Sequence, residues 1–338
     1  MKKMMIAVIA ALLLIVLFEP HVQRSIVEMV GGAIKVEGES HPNAEKATFS
    51  EQLGSTEKTD TLDVTLYYRF EDTSVLGAQR VQLDLRREET IATRIVEHLV
   101  EGPDIAHSRL SGVFPQGTEV ISVSGEERTA FVTLSEVFLG RPDGAPADWE
   151  DLAAWQEEAA LRRRLAVQSI VLALTEDGRY QRVQLYVADN DDDIPRRIAM
   201  AWLDPSVTDP ALVLAASPRD ELAILTPNKA MRMILEAWKH KDIETLYALT
   251  APSKDEEMPT LSEFEAEINE TDVSLLTYET SQGTVSYDGQ IATLVLDAHI
   301  RSNDGGDAQI IRESVPLVRW QDNWAIEKDK LLSLMIRD

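Results

Sequence analysis

The sequence predicts an α+β protein of two domains behind a membrane anchor. Three observations carry that expectation: an uninterrupted apolar run over residues 4–18, an alternation of strand and helix periods over 62–189, and a helix pair followed by strands over 228–338. With 338 residues, 44% hydrophobic and 27% charged, the chain is long enough for two cores and too apolar to be disordered. A formal net charge of −25, from 33 basic against 58 acidic residues, would repel a phosphate backbone, so nucleic acid is not an expected partner. The absence of cysteine excludes disulfides, thiolate nucleophiles, cysteine-based zinc sites and a lipidated cysteine.

Residues 1–20 read MKKMMIAVIAALLLIVLFEP. Fifteen apolar residues make about 22 Å of helix, short of the ~30 Å hydrocarbon core but within reach if Lys2, Lys3 and Glu19 snorkel. A cleaved signal sequence is the alternative. No small-x-small site follows Phe18 closely, which favours an uncleaved anchor. Lysines ahead of the run leave the N-terminus in the cytoplasm, giving a single-pass cell-membrane protein with its bulk extracytoplasmic. Residues 37–61 are polar and aperiodic, a tether.

Order is expected from residue 62. Val64, Leu66, Tyr68 and Phe70 alternate with Thr65, Tyr67 and Arg69 as a half-buried strand, and Val81, Leu83 and Leu85 alternate in a second. Ile91, Ile95 and Leu99 then fall four apart, a helix starting after Glu88-Glu89 and ending at Gly102-Pro103, with Gly102 expected as a left-handed cap. Residues 120–124 and 129–134 bracket a hairpin turn. After the Pro/Gly-rich insert LGRPDGAPADWED, Ala166, Ile170, Ala173 and Leu174 mark one helical face, and Val183, Leu185 and Val187 alternate as a strand whose edge could pair with another chain. The expectation is one sheet with both helices on a single face.

Residues 190–227 are acidic and proline-rich, a linker whose apolar pieces at 198–203 and 211–216 should pack on one domain or the other. The acidic run at 189–193 suggests calcium, but Ile194 stands where a glycine should follow and Met200 where a bidentate glutamate should, so no metal is expected. In the second domain Asn228 is the expected N-cap of a helix bearing Ala230, Met233, Ile234 and Ala237, and Asp242 caps a second helix. Residues 292–300 alternate as a strand, and Gln321-Asp322-Asn323 turns a hairpin.

Residues 62–189 resemble a GerM domain. The likeness rests on Leu66-Tyr67-Tyr68, Arg80-Val81, the helix ending in Leu99-Val100-Glu101-Gly102-Pro103, and Phe114-Pro115-Gln116-Gly117-Thr118. It continues through Ala130-Phe131-Val132, the helix segment opening with Gln168-Ser169-Ile170, and Val183-Gln184-Leu185. The helix pair around Trp238, Asp242 and Tyr247, with the Trp320…Trp324 hairpin, is similar to an NTF2-like cone domain over 228–338. The GerM resemblance implies sporulation, germination or cell-envelope assembly, with other envelope or sporulation proteins as partners, membrane contact through residues 4–18, and no catalytic residue to carry over. Homo-oligomerisation stays open.

The residues themselves agree. No nucleophile triad or phosphate-cradling loop occurs in the Gly/Pro stretch, and His98 and His107 lack a metal-binding context. Asp297 and His299 are the one near acid–base pair, and the alternation turns them to solvent. No enzyme, cofactor or metal is therefore expected. The expected function is membrane-tethered binding or scaffolding, and the alternatives are a small-ligand or glycan sensor needing a closed apolar pocket in the second domain and, less so, an envelope hydrolase.

Overall fold

The computed structural model describes residues 60–85, 90–188, 194–254, 256–271, 273–302 and 308–336. The expected anchor at 4–18, the body of the tether and the acidic run at 189–193 lie outside these, and among the described residues no helix is long and apolar enough to cross a membrane.

Strands β1 (Asp60–Phe70) and β2 (Leu76–Leu85) form an antiparallel hairpin, with the two-residue β3 (Leu110–Ser111) on the other side of β1. Helix α1 (Ile91–Glu101) begins at an N-cap, Thr90, whose hydroxyl accepts from the Thr93 amide. Strands β4 (Val120–Glu126) and β5 (Thr129–Ser135) form the second hairpin. Helix α2 (Ala153–Thr175) crosses over to β6 (Arg182–Ala188), which lies parallel to β5.

Two features depart from the expected single sheet with helices on one face. β2-β1-β3 and β4-β5-β6 belong to separate sheets, and side chains from both faces of β1 meet the helical segments. The Tyr68 hydroxyl reaches the His98 carbonyl of α1 at 3.1 Å, whereas Tyr67 and Arg69, on the other face, meet Glu176 and Glu158 at and beyond the end of α2 and within it. β1 is accordingly buried on both sides from Leu66 to Phe70, including Arg69 at 4% exposure. The C-terminal half of α2 touches β1 and β6 together, which explains why Leu165 to Leu174 are buried around the helix except at Gln168 rather than along the single stripe of Ala166, Ile170, Ala173 and Leu174.

Residues 194–227 are packed, not free. β7 (Arg196–Arg197) and β8 (Ser217–Pro218) both pair with β6, and Ile198, Leu203, Leu214 and Leu225 are buried. The strand expected to offer an edge, β6, is thus interior, covered on one side by β5 and on the other by this segment. The open end of that sheet is β4.

The C-terminal half starts with α3 (Pro227–His240), whose N-cap is Thr226, not Asn228. Proline at the first helical position needs no amide partner, so the boundary moves two residues upstream, and Asn228 Oδ1 instead accepts from the Gly283 amide at 2.9 Å. Asp242 caps α4 (Ile243–Ala248) through the Thr245 amide, as expected. β9 (Thr250–Ala251), α5 (Leu261–Asn269) and β10 (Val273–Thr280) follow, then the short β11 (Thr284–Val285), and β12 (Ile291–Ser302), β13 (Gln309–Trp320), β14 (Asn323–Glu327) and α6 (Lys328–Met335) complete the chain. The sheet runs β10-β12-β13-β14-β9, with β11 beside β12.

The halves are joined along the outer edge of β2. Asn323 acts there as a one-residue strand: Oδ1 accepts from Ala78 N at 2.8 Å and Nδ2 donates to Ala78 O at 3.0 Å. On either side, Leu225 N donates to Leu76 O, and Arg80 N to Asp322 Oδ2, both at 2.9 Å. The edge of β2 is satisfied by side chains and a loop of the C-terminal half.

Candidate functional site

The Gly/Pro stretch at 102–118 is built into this junction. Gln79 and Asp104 exchange hydrogen bonds, His107 Nε2 lies 3.7 Å from Asp322 Oδ2, and Arg109 Nη2 donates to Thr250 O at 2.9 Å. Gly102 has φ 99° and ψ 175°, not the expected left-handed helical pair. That combination is open essentially to glycine alone, so the residue turns the chain out of α1 toward β2. Gly117 has φ 87° in the turn where the Thr118 hydroxyl bonds Pro115 O. The Arg109 and Thr118 bonds hold backbone in place, and the His107–Asp322 pair joins side chains of the two halves.

The insert between β5 and α2 closes over a buried cation that sequence reading missed. Arg163, 5% exposed, stands between the indoles of Trp149 and Trp202, 5.5 and 4.9 Å from their centroids. Its Nη2 donates to Leu139 O and Gly140 O and its Nη1 to Trp202 O. Burial pushes its pKa down to about 10, only partly opposed by Glu150. Three residues distant in sequence make this cage, so no local spacing announces it.

Among the described residues, β4 is the long strand at the open end of its sheet. Only Val120 and Val123 are half-buried along it, and Ile121 is exposed. At the turn of the hairpin, Gly125 lets the Tyr180 ring approach to 2.7 Å of where a Cβ would sit.

A cleft of about 370 Å³ opens between the halves and is lined from both, by Tyr67, Arg80, Arg219, Arg319, Asp322 and Trp324 among others. Here Arg219 pairs with Glu176 at 2.7 Å and Glu221 at 3.3 Å, and Arg319 lies over the Trp324 ring at 4.1 Å. By contrast, a pocket lined wholly by the C-terminal half, around Trp238 and Leu246, holds about 80 Å³, well below the ~300 Å³ that small-molecule sites usually reach.

Asp297 and His299 sit on the outer side of β12, and Asp297 pairs with Arg312 across to β13 at 3.4 Å. Among the described residues no cluster of histidine and carboxylates is arranged to hold a metal.

Residues 65–193 match the family described as Germane, sporulation and spore germination. The family likeness lies in the N-terminal half of the chain, where residues 65–193 carry a GerM-type domain. No curated protein matches it significantly. Among solved structures it is similar to the first GerMN domain of the sporulation protein GerM from Bacillus subtilis, at 18% identity and a TM-score of 0.30, over 47% of this chain and 98% of that one. The tandem GerMN domains of the same protein match at 16% identity and a TM-score of 0.29, over 73% of this chain and 64% of that one. A sec-c motif containing protein from Psychrobacter arcticus matches at 18% identity and 0.23, over 36% of this chain and 77% of that one.

Proposed function

We propose that the protein is a membrane-tethered, extracytoplasmic scaffold in sporulation, germination or cell-envelope assembly, whose GerM domain makes the principal protein contact through the edge of β4. The observation that carries the reading is the open β4 edge in a sheet whose other side is covered by β7 and β8. An extended partner segment can add to such an edge, and a common membrane raises the effective concentration that compensates for a weak contact. The excess of acidic residues favours a basic partner. Residues 4–18 serve as the anchor, and residues 228–338, a helix pair against a five-strand run of sheet, serve as an NTF2-like accessory domain fused to the scaffold.

The test is quantitative cross-linking and recovery of the full chain from membranes of sporulating cells, comparing wild type with Ile121→Lys, which puts a charge on the edge at an exposed position. Loss of the recovered partner with an unchanged melting temperature supports the assignment. Equal recovery by both proteins refutes it.

A further inference from the structure

We propose that the cleft between the two halves is a binding site for a phosphoryl group, gripped by Arg80 and Arg319. The chain has 25 more acidic than basic residues, and the third arginine of the cleft, Arg219, is matched by two glutamates. Arg80 and Arg319 are not. Among the described residues the Arg80 guanidinium has no ion pair, and the Arg319 guanidinium donates to the carbonyl of Asp322, 2.7 Å from Nη1. Burial holds the pKa of Arg319 below its usual value and the neighbouring charge of Arg80 lowers it further, while the Asp322 carboxylate, also in the cleft lining, opposes both. Two like charges in the recess oppose each other and share the carboxylate of Asp322, and an anion between them would relieve the remaining repulsion.

Both groups are also held in place beforehand. Arg80 extends from a strand whose own amide is fixed by Asp322 Oδ2, and Arg319 lies over the indole of Trp324. Two guanidinium forks suit a phosphoryl group, whose three oxygens serve both, better than a carboxylate, whose two oxygens one fork already saturates. A volume of about 370 Å³ admits a small ester as well as the bare ion.

Calorimetry on the detergent-solubilised full chain, at a constant ionic strength of about 0.15 M, should show saturable binding of glucose 1-phosphate or inorganic phosphate and none of glucose. Tighter binding of glucose 1-phosphate than of inorganic phosphate would identify an organic ester as the source, and equal binding the free ion. Arg80→Gln should weaken binding by about tenfold or more without lowering the melting temperature. Arg319→Lys, which keeps the charge but loses the fork and the stack, should weaken it too. No binding of either phosphate below about 10 mM, or unchanged binding by Arg80→Gln, would overturn the site. Neither result bears on the β4 contact, which is measured by partner recovery.

Discussion

Replacing Asn323 by alanine tests whether the two halves are fused along β2. The side chain is 6% exposed and makes three hydrogen bonds, to Ala78 N, Ala78 O and Gln321 O. Truncation strands both backbone groups of Ala78 at an edge that no other strand reaches. A buried group left unpaired costs ~1–3 kcal/mol. Ala78 is half-buried beside the cleft, where water restores part of that, so the sum for two groups is about 3 kcal/mol.

For the described chain this corresponds to a fall in melting temperature of roughly 6–12 °C, measured by circular dichroism or calorimetry, with a single transition splitting into two as the halves uncouple. A second variant separates packing from hydrogen bonding. A Cβ at Gly77 would stand 2.6 Å from Leu110 Cδ2 and 2.7 Å from Asn323 Oδ1, so Gly77→Ala should also destabilise, and less so in the Asn323→Ala background, where one of the two clashes is gone. If Asn323→Ala melts within about 0.5 kcal/mol of wild type and in one transition, the junction does not depend on this residue and the reasoning fails.

Gly102→Val should cost ~1–3 kcal/mol, because the loss comes from backbone conformation alone: φ is 99° and an added Cβ meets nothing within 4 Å. An unchanged urea midpoint would contradict that. Alkali should unfold the protein through its tyrosines. Burial first, then the charge of Glu176, pushes Tyr67 up to about 12 against the opposing Arg219; burial and the hydrogen bond to Glu236 push Tyr278 up to about 12; and burial with Asp104 and Glu101 raises Tyr68 as well. Values raised in the folded state contribute stability that is complete below about pH 10 and is lost as pH rises toward 12. Absorbance at the phenolate band should therefore show a late-titrating group of tyrosines whose ionisation coincides with loss of far-ultraviolet dichroism, and normal titration of all seven tyrosines in a folded protein would refute it.

Local periodicity determined the elements. Ile91, Ile95 and Leu99 placed α1, the two runs at 120–134 placed their hairpin, Asp242 marked its helix, and the quoted Gly/Pro segments carried the family likeness, because each of these signals lies within a few residues of the structure it specifies. The alternation of residues 292–300 likewise turned Asp297 and His299 outward.

What only the tertiary structure decided depends on residues far apart in the chain. Tyr67 and Arg69 read as the polar side of a half-buried strand until α2, about a hundred residues later, covers them. The strand edge expected on β6 is hidden by residues 196–218, and β2 is completed by Asn323, 245 positions away. Arg80 and Arg319 are unremarkable surface arginines until the junction sets both at one cleft. Periodicity records which side of an element is apolar, whereas pairing of edges and gathering of charges depend on which surfaces meet, and that is settled by the packing of the whole chain.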